Sequence, residues 1–289
     1  MTGSYTLFMG ICLLNPTLTN VGLGLQKLAI NEIPTAETRS RRHVYALVWA
    51  LGLMMQGLVV ALQAKALTIG NASTLGGFAG FGLIALGIFS HVVLKEKISR
   101  RELAGMAIII SGTAMLGFFS HSHQRGTVAF EQRQMTIFLL AFCAVAAAMI
   151  FFMLRDIQTR GGVVLGLIGG AIGGLGIVFL KIVVGRFAAK SGTPGALLSM
   201  LADPYLWLAL VGGVGGVVLV QVGYKYGKAI HVVPGFSSMV VITPALCGYL
   251  VLNEPITAVC VLSLALITTG VLITTTAART EKSQAQARV

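Results

Sequence analysis

The chain has 289 residues, of which 56% are hydrophobic and only 10% charged, and its mean hydropathy is +0.87. A water-soluble domain of this length needs far more charge to cover its surface, so a soluble enzyme or binding module is excluded. The net charge of +12 does not point to nucleic acid, because almost every Arg and Lys lies in a short segment between apolar runs. Membrane topology places basic residues there.

Nine apolar runs, of about the 20 residues that cross a bilayer core, predict an all-α integral membrane protein with nine transmembrane helices. The first, 5–28, follows Met1-Thr-Gly-Ser4, which lacks the basic region of a signal peptide, so the run is expected to be retained. It carries Asn15-Pro-Thr-Leu-Thr-Asn20 close to its middle. The second, 43–64, holds Gln56 deep inside. The third, 69–94, opens with Asn71-Ala-Ser-Thr74, continues through Leu75-Gly-Gly77 and Gly80, and ends in Leu94-Lys-Glu96. The fourth is 102–120, and the loop after it contains His121-Ser-His123. Two histidines without a nearby carboxylate or cysteine make a poor ligand set, so no metal site is assigned.

The fifth run is 135–154. The sixth, 163–185, places Gly162, Gly166, Gly170 and Gly174 four residues apart, a small face that lets helices approach closely and slide. The seventh, 204–224, adds Gly212, Gly213, Gly215 and Gly216 and holds Gln221. The eighth, 232–252, contains Pro234-Gly-Phe-Ser-Ser238 and Thr243-Pro244, and the ninth is 258–276. Cys12, Cys143, Cys247 and Cys260 all fall inside apolar runs without CxxC spacing, which argues against disulfides and structural zinc.

Loops after the odd-numbered runs, together with the tail, carry 14 of the 21 Lys and Arg residues, among them Arg39, Arg41, Arg42, Lys95, Lys97, Arg100, Arg101 and Arg279. The opposite loops carry Lys65, Arg125, Arg133, Arg186 and Lys190. This asymmetry predicts a cytoplasmic C-terminus and an external N-terminus in a plasma membrane or bacterial inner membrane.

Internal similarity suggests a repeat. The stretch from Ala46 to Leu67 lies over Ala209 to Ile230 without a gap, and Leu94-Lys-Glu96 matches Leu252-Asn-Glu254. Gln26-Lys27 near the end of run 1 matches Leu180-Lys181 in run 6. Runs 1–4 therefore repeat as runs 6–9, with the single intervening run inverting the second copy. The expected organisation is residues 1–120 as the first four-helix unit, 121–160 as a linker with the fifth helix, and 161–289 as the inverted second unit with its tail. The segment from Ala66 to Leu116, with its Leu-Lys-Glu end and Gly-rich final run, resembles the EamA-like drug/metabolite transporter superfamily. The first unit lacks a helix and thereby resembles more closely the NIPA-type branch, whose members include magnesium transporters. The sequence departs from that branch where Leu75-Gly-Gly77 replaces a proline-bearing stretch. The resemblance implies a fold and leaves the cargo open.

In inverted-repeat transporters, helix breaks at matching positions of the two units point to the site. Pro16 removes a backbone donor in run 1. Aligning Lys27 with Lys181 lays 15–20 over Gly169, Gly170, Gly173 and Gly174. These positions, with Pro234 and Pro244, are the expected helix breaks. Asn15, Thr19 and Asn20 are the first candidates for substrate contact, although Asn and Thr also serve to join helices. Gln56 and Gln221, Ser237 and Thr243 are further candidates. Lys181 and Lys225 are candidates for attracting an anionic metabolite, against a snorkelling role for both and for Lys27. All nine acidic residues lie in loops or at run ends, among them Glu96, Glu102 and Glu254. Proton coupling through a buried carboxylate is therefore not expected.

No phosphate loop, nucleophile elbow or HExxH is present, and the chain is read as neither an enzyme nor a cofactor protein. The expected function is alternating-access transport of a small polar solute. The first alternative is movement of magnesium or a similar divalent cation, and the second is a non-transporting membrane scaffold subunit. Expected partners are membrane lipid and the solute or cation, not nucleic acid, with room for a homodimer. An odd number of spans requires the two termini on opposite faces. Reporter tags at residues 1 and 289 should be accessible from opposite sides of intact membrane vesicles, and access from one side would overturn the nine-span reading.

Overall fold

A computed structural model of the chain describes residues 2–34, 38–69, 75, 78–119, 131–190, 196–252 and 257–286. The helices are α1 (Thr2–Glu32), α2 (Arg39–Ile69), α3 (Ala79–Val92), α4 (Arg100–Phe119) and α5 (Gln132–Leu154). They continue as α6 (Ile157–Lys190), α7 (Ala196–Leu201), α8 (Pro204–Gly223), α9 (Ala229–Val251) and α10 (Ala258–Gln286). No strand occurs among the described residues. Seven of these helices are long and apolar enough to cross a membrane: α1, α2, α5, α6, α8, α9 and α10. The chain is thus a multi-pass helical membrane protein. Of the other two expected spans, the third appears as the shorter apolar helix α3, with residues 70–74 and 76–77 at its start outside the described ones, and the fourth appears as α4, which is not among the seven. Residues 121, 123 and 125 of the fourth loop also lie outside them.

Helix starts follow local chemistry. Before α4, the Ser99 hydroxyl accepts from the Glu102 N–H at 3.3 Å while the Glu102 carboxylate accepts from the Ser99 N–H, a reciprocal capping box. Before α8, Asp203 accepts from the Tyr205 N–H at 3.0 Å and Pro204 occupies the first turn, where its missing donor costs nothing. Arg186 of α6 pairs with the same Asp203 at 3.1 Å and lies over the Tyr205 ring.

In hydrocarbon, helices gain little by hiding apolar surface from one another, so close backbone packing decides which ones pair. The tightest seams run between α1 and α2, α4 and α10, α6 and α8, and α6 and α9. Each is built on glycine. Gly22 and Gly52 face each other across α1 and α2, Gly105 and Gly270 across α4 and α10, and Gly169 and Gly216 across α6 and α8. On the other side of α6, Gly162, Gly166, Gly170 and Gly174 meet Gly227, Val232, Phe236 and Thr243, so the four-residue glycine stripe is the seat of α9. Placed between these partners, α6 and α9 are the most enclosed spans; α5, with 6% of its apolar stretch buried, is the most peripheral. Leu47 and Met54 of α2, Leu140 of α5 and Val211 of α8 face outward, as residues covered by lipid do.

The expected helix breaks are continuous. α1 runs through Pro16, α9 through Pro234 and Pro244, and α6 through Gly169 to Gly174. A proline inside a helix removes one N–H, and neighbouring groups can take up what it frees. At Pro16 the acceptor so freed is the Cys12 carbonyl one turn earlier, while the carbonyl of Pro16 itself accepts from Asn20 Nδ2 at 2.9 Å. The glycines are points of close approach between helices and not interruptions of α6.

These contacts leave no room for a side chain. A Cβ on Gly105 would meet the Gly270 carbonyl at 2.9 Å, and one on Gly169 the Gly216 carbonyl at 2.7 Å. Gly105→Ala and Gly169→Ala should each destabilise the detergent-solubilised protein by roughly 1–3 kcal/mol, read as a lower thermal midpoint. Gly57→Ala and Gly213→Ala, with nothing within 4 Å, should be neutral or stabilising, by up to about 1 kcal/mol.

Candidate functional site

The polar residues of α1 fall into two groups. The mid-helix group serves mainly to join α1 to its neighbours. Asn15 Nδ2 donates to the Val59 carbonyl of α2 at 3.1 Å, and Gln56 Nε2 of α2 donates to the Thr19 carbonyl at 2.9 Å. Thr19 Oγ1 donates to the Asn15 carbonyl of its own helix. Asn20 and the Pro16 carbonyl press against Gly82 of α3, where no larger residue fits. The Asn20 side chain is 2% exposed and its Oδ1 has no hydrogen-bond partner. An orphaned acceptor this deep is costly, and it is the one feature of the group that calls for a further ligand.

The second group lies at the far end of α1, about 9 Å further along the helix axis at 1.5 Å per residue. Here Gln221 Nε2 donates to Gln26 Oε1 and joins α8 to α1. Lys27 Nζ donates to the carbonyls of Tyr224 and Gly227 at 2.7 and 3.0 Å, and its ammonium sits over the Tyr224 ring. The Tyr224 carbonyl belongs to the C-terminal cap of α8, where a cation is favoured by the helix dipole, and the Gly227 carbonyl lies in the turn that follows. Tyr224 in turn donates its hydroxyl to the Leu23 carbonyl at 3.3 Å.

Glu96 complements this arrangement. Lys95 is the non-glycine residue with a positive φ (53°) among the described residues, and the turn it makes returns the Glu96 N–H to the Ser90 carbonyl. The Glu96 carboxylate then accepts from the N–H groups of Ala229 and Ile230, at 3.0 and 3.4 Å, at the positive N-terminus of α9. The Leu-Lys-Glu ending noted in the sequence is thus a cap for a helix far away in the chain. Its counterpart Glu254 lies outside the described residues.

A third contact lies at the same end. His231 Nε2 is 2.5 Å from Glu102 Oε1, and the two side chains are 3% and 2% exposed. The expectation that no carboxylate is buried is therefore corrected. Glu102 does stand at a helix start, but α9 packs over that start and shields it from solvent.

The remaining candidates are dispersed. Thr243 and Pro244 are pressed on Gly174, and Ser237 is buried in α9. Lys181 is partly buried on α6. Lys225 is exposed on the turn after α8. Gln26, Tyr224 and His231 were not singled out by the sequence. No pattern marks them, because their partners come from distant helices. Among the described residues there is no cluster of three or more His, Cys, Asp or Glu side chains able to hold a metal ion.

Comparison with curated proteins finds a similarity to the probable magnesium transporter NIPA9 of Arabidopsis thaliana, with 26% identity over 139 residues. The match covers 47% of this chain and 38% of that protein. No family model and no solved structure matches the chain.

The buried His231–Glu102 contact predicts a stability effect. Removing one partner leaves the other without its hydrogen bond inside the bundle. His231→Ala should lower stability by about 1–3 kcal/mol, while His231→Gln, which keeps a side-chain donor, should recover part of the loss. Thermal unfolding in detergent measures both, and equal midpoints for all three proteins would mean that the pair contributes nothing.

Proposed function

We propose that the chain is a membrane transporter that carries a small polar solute by alternating access between two inverted four-helix halves, α1–α4 and α6 with α8–α10. The observation that carries this reading is the gathering of polar contacts between the halves at one end. Gln26–Gln221, Lys27–Tyr224, Glu96–Ala229 and Glu102–His231 all lie there. Toward the opposite end, the Arg186–Asp203 pair and the Tyr205–Gln132 hydrogen bond join α8 to α6 and α5. Polar contacts gathered between the halves at one end, beside the α4–α10 seam that joins the halves along their lengths, suit one state of an alternating-access cycle.

The neighbours of each helix support the repeat. α1 packs on α2 and α3 as α6 packs on α8 and α9, α3 on α4 as α9 on α10, and α3 and α4 meet α9 and α10 across the centre. The excess of Lys and Arg assigns the tied end to the cytoplasm. In this reading the cargo passes Asn15, Thr19, Asn20 and Gln56, with the orphaned Asn20 Oδ1 as its acceptor. A lining of amides and hydroxyls suits a neutral or zwitterionic hydrogen-bonding solute.

A second reading, magnesium or a similar divalent cation, is favoured by the similarity to the probable magnesium transporter of Arabidopsis. Magnesium keeps much of its water shell and can be held through carbonyls and amides. Purified protein in vesicles separates the two. Uptake of a polar organic solute, reduced roughly tenfold by an Asn15→Ala/Asn20→Ala double variant that still elutes as a single folded species, supports the first reading. The same result with magnesium alone supports the second. Vesicles that move neither, with a stable partner co-purifying, would replace both by a scaffold role.

A further inference from the structure

Two charges from the first half hold the short connection between α8 and α9, and each is directed at backbone. Lys27 attracts Glu96 electrostatically, yet its hydrogen bonds go to the Tyr224 and Gly227 carbonyls, while those of Glu96 go to the Ala229 and Ile230 N–H groups. The connection from Tyr224 to Lys228 therefore has a cation on its carbonyl side and an anion on its amide side. Both are supplied from outside the half to which the connection belongs. α1 and α8 do not pack along their lengths; α1 is seated on α2 and α3, and α8 on α6. What joins them at this end is polar and local, unlike the glycine seams within each half.

We propose that Lys27 and Glu96 are the latch that closes this end of the transporter, and that the end opens only when both charges leave the helix termini they hold. The proposal rests on the transport reading for its purpose. When the latch opens, four backbone groups lose charged partners and must find water, so opening and wetting of this end are one event. When it closes, water leaves and the two charges replace it. The dipole of each helix end fixes the sign that fits there, so the two charges cannot be exchanged. This separates the latch from an ordinary ion pair, in which reversal of both partners restores the attraction.

The test uses the full chain in detergent or vesicles with Leu23→Cys as the reporter. Leu23 is fully buried beside the latch, and its carbonyl accepts from Tyr224. Modification of that cysteine by a water-soluble maleimide is followed by peptide mass spectrometry, which distinguishes it from the four native cysteines. Lys27→Met and Glu96→Gln should each raise the labelling rate on the order of tenfold, the effect of losing charge-assisted hydrogen bonds. The double variant Lys27→Glu/Glu96→Lys should label at least as fast as either single one. Unchanged labelling in both single variants overturns the latch, and so does slow labelling in the reversed double variant, which would mark a simple ion pair. Should Lys27→Met fail to fold, Glu96→Gln, which retains an acceptor for Ala229, carries the comparison. Labelling requires no cargo. Vesicles that transport nothing would therefore remove the transport reading and leave this result standing, whereas transport with unchanged labelling would remove only the latch.

Discussion

The structure depends on how helix ends are satisfied in a medium that offers no water. Each α-helix leaves unpaired N–H groups at its start and unpaired carbonyls at its end, and inside or near a bilayer these must be met by protein. The connection between α8 and α9 serves itself only in part, through the N–H groups of Tyr224, Lys225 and Tyr226, which return to the carbonyls of Val220, Val222 and Gly223. It is completed by Lys27 from the end of α1 and by Glu96 from the turn after α3. Glu102 adds a third long-range contact, because the carboxylate that caps its own helix also reaches His231 of α9. Charged residues at this end thus act less as surface solubilisers than as terminal groups for helices distant in sequence.

The rest of the bundle is held by different means. Along the helices there are few polar contacts, and association relies on backbones brought together at Gly22–Gly52, Gly105–Gly270 and Gly169–Gly216. Such seams are short-range and stiff. The contacts between α1 and the α8–α9 connection are hydrogen bonds that water can replace. The Gly22–Gly52 and Gly169–Gly216 seams lie inside one set of four helices, whereas Gly105–Gly270 joins α4 of the first set to α10 of the second, so in the proposed transport cycle the two sets would turn about that seam.

Much of this architecture was legible in the sequence. Apolar run lengths gave most of the spans, and the four-residue spacing of Gly162, Gly166, Gly170 and Gly174 marked a close helix contact, which α9 occupies. The meaning of Pro16 was less accessible. One missing donor in a helix held on several sides does not interrupt it, so the proline lies within a continuous α1. The site was legible only in part. Asn15, Thr19 and Gln56 were visible as polar residues in apolar runs, but not that they hydrogen-bond backbone across one seam or along one helix. Ser99-x-x-Glu102 could be read as a helix start, but its burial could not, because burial is set by α9, whose His231 lies 129 residues away. Glu96 was noticed as part of a repeated ending, while its task at Ala229, 133 residues on, is a property of the folded bundle alone.

The peripheral position of α5 bears on chain continuity. Among the described residues it is seated against α6 and α9, through Met135, Phe138 and Phe142, and is hydrogen-bonded to α8 through Gln132 and Tyr205, while most of its apolar stretch is unburied. No described seam between α1–α4 and α6–α10 runs through it, so in the proposed inverted arrangement what it contributes is equal copy number and opposite insertion. A gene split in the loop before α5 would encode two polypeptides that retain every glycine seam and every helix-end cap, and the assembled unit would then be a heterodimer instead of a single chain.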